Sequence, residues 1–166
     1  TVTNSTFSNN RAYSGGGISN NNGVLTVTNS TFSVNSADTG GGIFNDGTLT
    51  MSNSTFFGNS SDDRDRGGGI LNADTAYLAG NVFAAGLSGD NCVNTGTLND
   101  NGYNLSDDAS CGFSGTGSVN NATLNLSALS VTTTPGQQVH TPQAGSDAIG
   151  VIPNGTTINN NGVTLA

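Results

Sequence analysis

The chain has 166 residues and a formal net charge of −8, with eleven Asp, three Arg, one His and neither Lys nor Glu. This composition argues against nucleic acid or an anionic membrane surface as a partner, because both bind proteins through clustered cations. No apolar run approaches the roughly 20 residues that span a bilayer, so we expect no membrane insertion of this segment.

A repeat of about 25 residues runs through the first half of the chain. Equivalent segments begin at Val2, Val27, Met51 and Leu78, which are 25, 24 and 27 residues apart. A glycine triplet followed by isoleucine recurs in phase with them, at residues 15–18, 40–43 and 67–70. A third signature, Phe-x-x-Asn, occurs at Phe7/Asn10, Phe32/Asn35 and Phe56/Asn59. Repetition at such a period is typical of a solenoid.

Each unit holds three short segments with strand character, and none is long enough for a helix. Leu25 and Val27 alternate with Thr26 and Thr28, which is the period of a half-buried strand. Stacked units place equivalent residues above one another at the spacing of neighbouring strands. The sequence therefore predicts an all-β fold, a parallel β-helix with coils of about 24–27 residues.

Stacking in this register predicts the columns that form the core. One column is aromatic (Phe7, Phe32, Phe56 and Phe83), one is aliphatic (Ile18, Ile43 and Ile70), and one comprises Val2, Val27, Met51 and Leu78. Asn4, Asn29 and Asn53 stand where the chain must bend, and we expect an asparagine ladder there, because Asn tolerates unusual backbone angles and can bond to the next coil. Asn45 and Asn72 are candidates for a second ladder.

The chain divides into three parts on this reading. Residues 1–86 form the regular coils, residues 87–119 an irregular coil, and residues 120–166 the closing strands of the same solenoid, with strand-like segments at 124–126, 138–140, 148–152 and 163–165. The chain starts in mid-repeat without an initiator Met, so we expect a mature product or a fragment of a longer solenoid. We expect missing coils or another copy to cover the open end.

Cys92 and Cys111 lie 19 positions apart in the irregular part. A disulfide is the favoured interpretation, because a Lys-free, Asn-rich chain looks exported and disulfides persist outside the cell. The rival interpretation, a metal or redox pair, lacks the Cys-x-x-Cys spacing and a nearby His.

These motifs resemble the right-handed parallel β-helix repeats of bacterial surface proteins, including the polymorphic outer-membrane adhesins. The second half resembles the choice-of-anchor Q family of bacterial surface proteins, through the segments 90–92, 102–107 with Cys111, and 145–151 with His140 before them. The resemblance implies a right-handed coil and a secreted or cell-surface location in bacteria. Its motifs specify architecture, and they imply no catalytic residue.

An enzyme is the least favoured class. Polysaccharide lyases and hydrolases with this fold need acidic clusters or paired carboxylates, and the one candidate is the segment with Asp62, Asp63 and Asp65, where Arg64 and Arg66 alternate with the acids. We interpret it as a solvated loop, with a calcium or sugar site as the alternative. His140, the only histidine, is interpreted as structural.

The leading hypothesis is a non-enzymatic extracellular structural protein with no cofactor, which self-associates head to tail into a homopolymer through its open ends. The alternative is an adhesin that binds glycans or host surfaces through the loop at 62–66 or the irregular segment 86–117. A polysaccharide lyase or hydrolase is the third possibility.

Overall fold

The computed structural model describes residues 1–62, 66–84, 86–132 and 137–165. Over these residues the chain is almost entirely strand, turn and bend, and its coils stack in parallel as a β-solenoid of about four turns. The predicted all-β parallel solenoid is therefore confirmed. The right-handed sense that the resemblance implies stays a prediction. No helix in the described part of the chain is long and apolar enough to cross a membrane.

Strands at equivalent positions of the repeat pair with each other from coil to coil. The first coil contains β1 (Val2–Thr3), β2 (Thr6–Ser8) and β3 (Arg11–Ser14), and the second contains β4 (Ile18–Thr28), β5 (Thr31–Ser33) and β6 (Ser36–Thr39). The third contains β7 (Ile43–Ser52), β8 (Thr55–Phe57) and β9 (Ser60–Ser61), and the fourth β10 (Ile70–Asn72), β11 (Thr75–Ala79) and β12 (Val82–Ala84). The last contains β13 (Cys92–Asn94), β14 (Thr97–Asp100) and β15 (Leu105–Ser106).

Three parallel sheets result from this pairing. The first sheet runs β1-β4-β7-β10-β13, with β11 and β14 continuing it beside β10 and β13. The second runs β2-β5-β8-β12-β15, and the third β3-β6-β9. The three predicted columns lie in register inside these sheets, and Cys92 extends the isoleucine column. Consecutive rings of the aromatic column stack with centroids 5.0, 4.6 and 4.8 Å apart.

The glycine triplets and the phenylalanine column depend on each other. The first glycine of each triplet has a positive φ, 63° at Gly15 and 62° at Gly40, which other residues rarely adopt. The third approaches an aromatic ring, since a Cβ on Gly42 would lie 2.7 Å from the ring of Phe56. The triplet thus turns the chain and leaves room for the ring beneath it, which explains why the two motifs recur in phase.

The predicted ladder of Asn4, Asn29 and Asn53 is corrected in one respect. All three have the left-handed backbone expected of a bend, with φ of 48°, 50° and 49°, but their side chains are exposed. The predicted second ladder of Asn45 and Asn72 is confirmed. The amide ladders are formed by asparagines that are buried except at the outer ends, Asn10 and Asn94. They are the column Asn20-Asn45-Asn72-Asn94, the Phe-x-x-Asn residues Asn10-Asn35-Asn59, and the pair Asn81-Asn104.

Residues 107–122, which we call the cap, cover the second sheet and the core at the end of the last coil. The cap pairs with the last strand, since Val119 N–H donates to Asn104 O and Ser106 N–H to Val119 O. Its Phe113 is buried and meets the ring of Phe83 at a centroid distance of 5.9 Å. The cap therefore closes the aromatic column at this end.

The chain then runs back along the solenoid in residues 123–132 and 137–165, which we call the strap. The strap contains two antiparallel hairpins, β16 (Ser130–Val131) with β17 (Gln138–Val139) and β18 (Ile158–Asn160) with β19 (Val163–Leu165). These strands pair with each other and extend none of the parallel sheets. The strand expected at 148–152 is a series of turns.

Candidate functional site

The acidic segment predicted as a possible cation or sugar site contributes one described carboxylate. Asp62 forms an ion pair with Arg11 at 3.5 Å, and the two side chains are 57% and 73% exposed. Such a surface pair contributes little to stability or to ligand affinity. Asp63, Arg64 and Asp65 lie outside the described residues. Elsewhere in the described ranges, no group of three or more His, Cys, Asp or Glu side chains is placed to hold a metal ion.

The irregular segment contains a small cavity. Gly86, Leu87, Ser88, Gly89 and Asp90 line a volume of about 300 Å³ at the side of the solenoid. Asp90 is the only titratable residue in this lining. A glycosidase needs two carboxyl groups at a fixed separation, and this lining provides one. The cavity thus offers a shallow polar contact for a ligand and lacks that machinery.

The predicted disulfide between Cys92 and Cys111 is confirmed, and it fastens the cap to the last coil. Both cysteines are buried, and Cys92 is in the isoleucine column. Cys92 N–H also donates to Ser110 Oγ at 3.0 Å, so the first strand of the last coil receives part of its hydrogen bonding from the cap.

Two aspartates organise the cap through hydrogen bonds that the sequence did not reveal. Asp100 accepts five, from Gly102 N–H, Asn104 Nδ2, Ser114 N–H, Gly115 N–H and Ser118 Oγ. These donors belong to both the last coil and the cap. The Asp100 carboxylate therefore ties the last coil to the cap.

Asp108 performs the same task beside the disulfide. Burial acts to raise the pKa of this carboxyl group, but hydrogen bonds from Asn91 N–H and from Ser110 and Ser106 outweigh burial, so its pKa lies below the ordinary value. The ionised form is thus the one that the cap stabilises.

His140 anchors the strap to the second sheet. Its Nδ1 lies 2.8 Å from Ser127 O and its Nε2 lies 3.0 Å from Ser33 Oγ, and the ring stacks on Phe57 at a centroid distance of 4.2 Å. Because a carbonyl only accepts, Nδ1 donates, and Nε2 of a neutral ring accepts the Ser33 hydroxyl proton. This is the spacing of a nucleophile and its base.

Ser33 and His140 differ from a catalytic pair in that a substrate cannot reach them. Ser33 is 2% exposed and His140 is 6% exposed, so the strap itself occupies the space that a substrate would need. The contact joins residues 107 positions apart, and no sequence pattern indicated it. We interpret it as a fastening of the strap, in agreement with the structural role predicted for His140.

Asn160 anchors the strap further along and is fully buried. Its Nδ2 donates to Met51 O at 2.9 Å and to Ser52 Oγ at 2.8 Å, and its Oδ1 accepts from Asn101 at 2.7 Å. In the residues that the structure describes, every buried side-chain nitrogen and oxygen atom has a hydrogen-bond partner. The strap therefore closes against the solenoid without leaving an unpaired polar group at its buried surface.

Comparison with known proteins gives one short match. A family model of the Chlamydia polymorphic membrane protein repeat matches residues 4–21, which include the first Phe-x-x-Asn motif and the first glycine triplet. No curated protein and no solved structure matches the chain. The repeat match and the β-solenoid together fit a repeat protein of the bacterial surface.

Proposed function

We propose that this protein is a non-enzymatic structural module of a bacterial cell surface or surface appendage, secreted or surface-bound, that acts without a cofactor. The observation that carries the proposal is the continuous internal stack. Aromatic, aliphatic and amide columns pass from coil to coil, and a disulfide-fastened cap closes one end. A rod built in this way resists bending and proteolysis, and it presents Thr, Ser and Asn to the solvent.

Two measurements test this proposal. Immunogold electron microscopy of intact source cells is expected to label the outside of the cell, and labelling confined to the cytoplasm would overturn the location. The purified protein is expected to leave acidic and neutral polysaccharides intact, as judged by unsaturated products and new reducing ends. The non-enzymatic assignment would be overturned if the protein cleaved a polysaccharide and if substitution of a buried residue, such as Ser33→Ala, abolished that activity.

Within this class we propose the choice-of-anchor Q type. Support comes from the segments that carried the resemblance, because three of them fall in the closing part of the solenoid. Asn91 and Asp107 are joined by a hydrogen bond, Cys92 and Cys111 by the disulfide, and His140 fastens the strap. The first two contacts close the last coil, and the third holds the strap against the second and third coils.

Head-to-tail assembly into a homopolymer is the expectation from the sequence, but the cap covers one of the two ends through which it would proceed. A ladder that continues from one copy to the next must add a strand beyond β15, where Val119 already pairs with Leu105. We therefore expect the oxidised protein to be monomeric in size-exclusion chromatography with light scattering. Filaments in negative-stain micrographs of the oxidised protein would instead favour assembly through other surfaces.

The adhesin alternative is favoured by the cavity at 86–90, which opens at the side of the solenoid. Glycan-array binding by the whole protein, lost in Asp90→Ala and retained in Asp147→Ala, would support this function. Equal binding by the two variants would count against the cavity. Both aspartates are exposed, so the pair is matched in charge and in burial.

A further inference from the structure

Four asparagines in this chain precede a glycine, at Asn22, Asn101, Asn154 and Asn161. This dipeptide has a characteristic reactivity, because glycine has no side chain to hinder its backbone nitrogen from approaching the preceding side chain. From the sequence alone, the four dipeptides are expected to be equally reactive. The structure distinguishes them, because it places them in different hydrogen-bonded settings.

We propose that Asn154 is a site of spontaneous deamidation in the folded protein and that the other three are protected. The Gly155 backbone nitrogen loses its proton to solvent base and attacks Asn154 Cγ, so that a C–N bond forms, the Cγ–Nδ2 bond breaks and ammonia leaves. Water then opens the resulting succinimide at either carbonyl and gives aspartate or isoaspartate. The reaction consumes one water, releases one ammonia and involves no change of oxidation state.

Asn161 is held at both reacting groups. Its Nδ2 donates to Thr50 Oγ1 at 3.0 Å, and the Gly162 N–H donates to Asn159 Oδ1 at 3.0 Å. The reaction requires the glycine nitrogen to lose its proton and the amide to turn toward it. Both bonds must therefore open first.

Asn101 is restrained in the same way at the far end of the strap contact. Its Nδ2 donates to Asn160 Oδ1 at 2.7 Å, and the Gly102 N–H donates to Asp100 Oδ1 at 3.0 Å. The donor bond to a carboxylate is a strong one and keeps the proton on the glycine nitrogen.

Asn22 is exposed, but its backbone belongs to a strand. It lies inside β4 and has a φ of 55°. The next residue, Gly23, packs against Gly47 of the following coil so closely that a Cβ on Gly47 would lie 2.5 Å from Gly23 O. Closure of the succinimide ring moves this backbone. The reaction at Asn22 therefore requires the stacking of the two coils to be disturbed.

Asn154 has none of these restraints. It is exposed, and it lies in a turn closed by one hydrogen bond, from Thr156 N–H to Pro153 O at 3.1 Å. Within the described part of the chain, neither its side chain nor the Gly155 N–H has a hydrogen-bond partner. Nothing lies within 4 Å of the position of a Cβ on Gly155, so the bulky intermediate of the attack has room to form.

The test is a peptide map of the full-length oxidised protein after incubation in mildly alkaline buffer, beside the same protein in denaturant. Pepsin is the suitable protease, because no Lys or Arg follows Arg66 and acid preserves asparagine. In denaturant we expect the four sites to deamidate at similar rates. In the folded protein we expect Asn154 to keep its denatured-state rate within about threefold. We expect Asn22, Asn101 and Asn161 to slow by about tenfold or more.

The proposal is overturned if folding slows Asn154 as much as Asn161, or if Asn22, Asn101 or Asn161 reacts first in the folded protein. Thr50→Val supplies a matched control, since it removes the acceptor of the Asn161 amide and leaves the turn at Asn154 untouched. It is expected to raise the rate at Asn161 alone. A variant that fails to fold is recognised by equal rates at all four sites. The comparison of the unmodified protein with and without denaturant then decides the proposal.

Discussion

Replacing Asn45 by aspartate tests whether the buried amide ladder holds the coils together. Asn45 is fully buried, and its Nδ2 donates to Gly47 O at 2.8 Å, to Asn72 Oδ1 at 2.7 Å and to Thr75 O at 3.1 Å, while its Oδ1 accepts from Asn20 at 2.7 Å. Aspartate has the same shape and keeps the acceptor. It removes both side-chain N–H donors. Because the shape is unchanged, the substitution leaves no cavity, and the loss of hydrogen bonds is the effect that is measured.

The magnitude follows from the groups that lose a partner. Gly47 O and Asn72 Oδ1 lose their donor in the interior, and a buried group without a partner costs about 1–3 kcal/mol. We expect the free energy of unfolding to fall by about 4 kcal/mol at neutral pH. Burial among acceptors raises the folded-state pKa of the new carboxyl group. The destabilisation is therefore small below about pH 4 and grows as the pH rises toward that folded-state pKa.

The assay is urea unfolding followed by circular dichroism, with Asn94→Asp as the matched control. Asn94 ends the same column, is exposed, and donates to Gly96 O at 3.2 Å. Water can replace its bonds, so we expect a loss of less than about 1 kcal/mol. Equal losses in the two variants, or a neutral effect of Asn45→Asp, would refute the role assigned to the ladder.

Four further changes probe the core, the cap and the strap. Phe56→Ala is expected to lower the free energy of unfolding in urea by about 3–5 kcal/mol, because the ring is buried between two stacked neighbours, and a loss below about 1 kcal/mol would contradict that packing. Replacing Cys92 and Cys111 together by serine is expected to cost about 3 kcal/mol in the same assay, and an unchanged midpoint would mean that the cap is held by its hydrogen bonds alone. Because the pKa of Asp108 is lowered on folding, its contribution to the free energy of unfolding is present above about pH 4 and is lost as the pH falls through the folded-state pKa. Asp108→Asn is therefore expected to make the free energy of unfolding depend less steeply on pH in the acid range. His140→Ala is expected to speed amide exchange in residues 137–165 while the coils keep their protection, and uniform acceleration would show that the strap is not a separate unit.

The repeat predicted the core because, in a solenoid, the period of the sequence determines the register in which the coils stack. Phe32 and Phe56 are 24 residues apart and directly stacked, and the same holds for the isoleucines that follow the glycine triplets. A residue that recurs once per coil must lie above its equivalent, so sequence alone determined which side chains meet.

The repeat indicated the ladder of Asn45 and Asn72, but its period could not decide between the asparagines at the bends and those of the Phe-x-x-Asn motif. Asn29 and Asn35 recur equally well, yet Asn29 is exposed at a bend and Asn35 is fully buried. The available signal was the Phe-x-x-Asn spacing, since an invariant polar residue close to a core ring needs a buried partner. The strap had no such signal. It occurs once, and its contacts, such as Ser33 with His140, join residues more than 100 positions apart.

The direction of the amide columns explains why the last coil needs so elaborate a closure. In each column the Nδ2 of one coil donates to the Oδ1 of the next, as in Asn72 to Asn94 and Asn81 to Asn104. Each added coil thus satisfies the one before it and presents new donors that require a successor. The last coil has no successor in its own sheet. Asn94 keeps only the bond to Gly96 O that has its equivalent in the earlier coils, and Asn104 donates to the Asp100 carboxylate in place of a further asparagine. Asp100 is in register with Leu78, which belongs to the column that begins at Val2. A carboxylate is suited to this position because it accepts several donors and needs none, so Asp100 supplies the acceptor that a further coil would otherwise have provided.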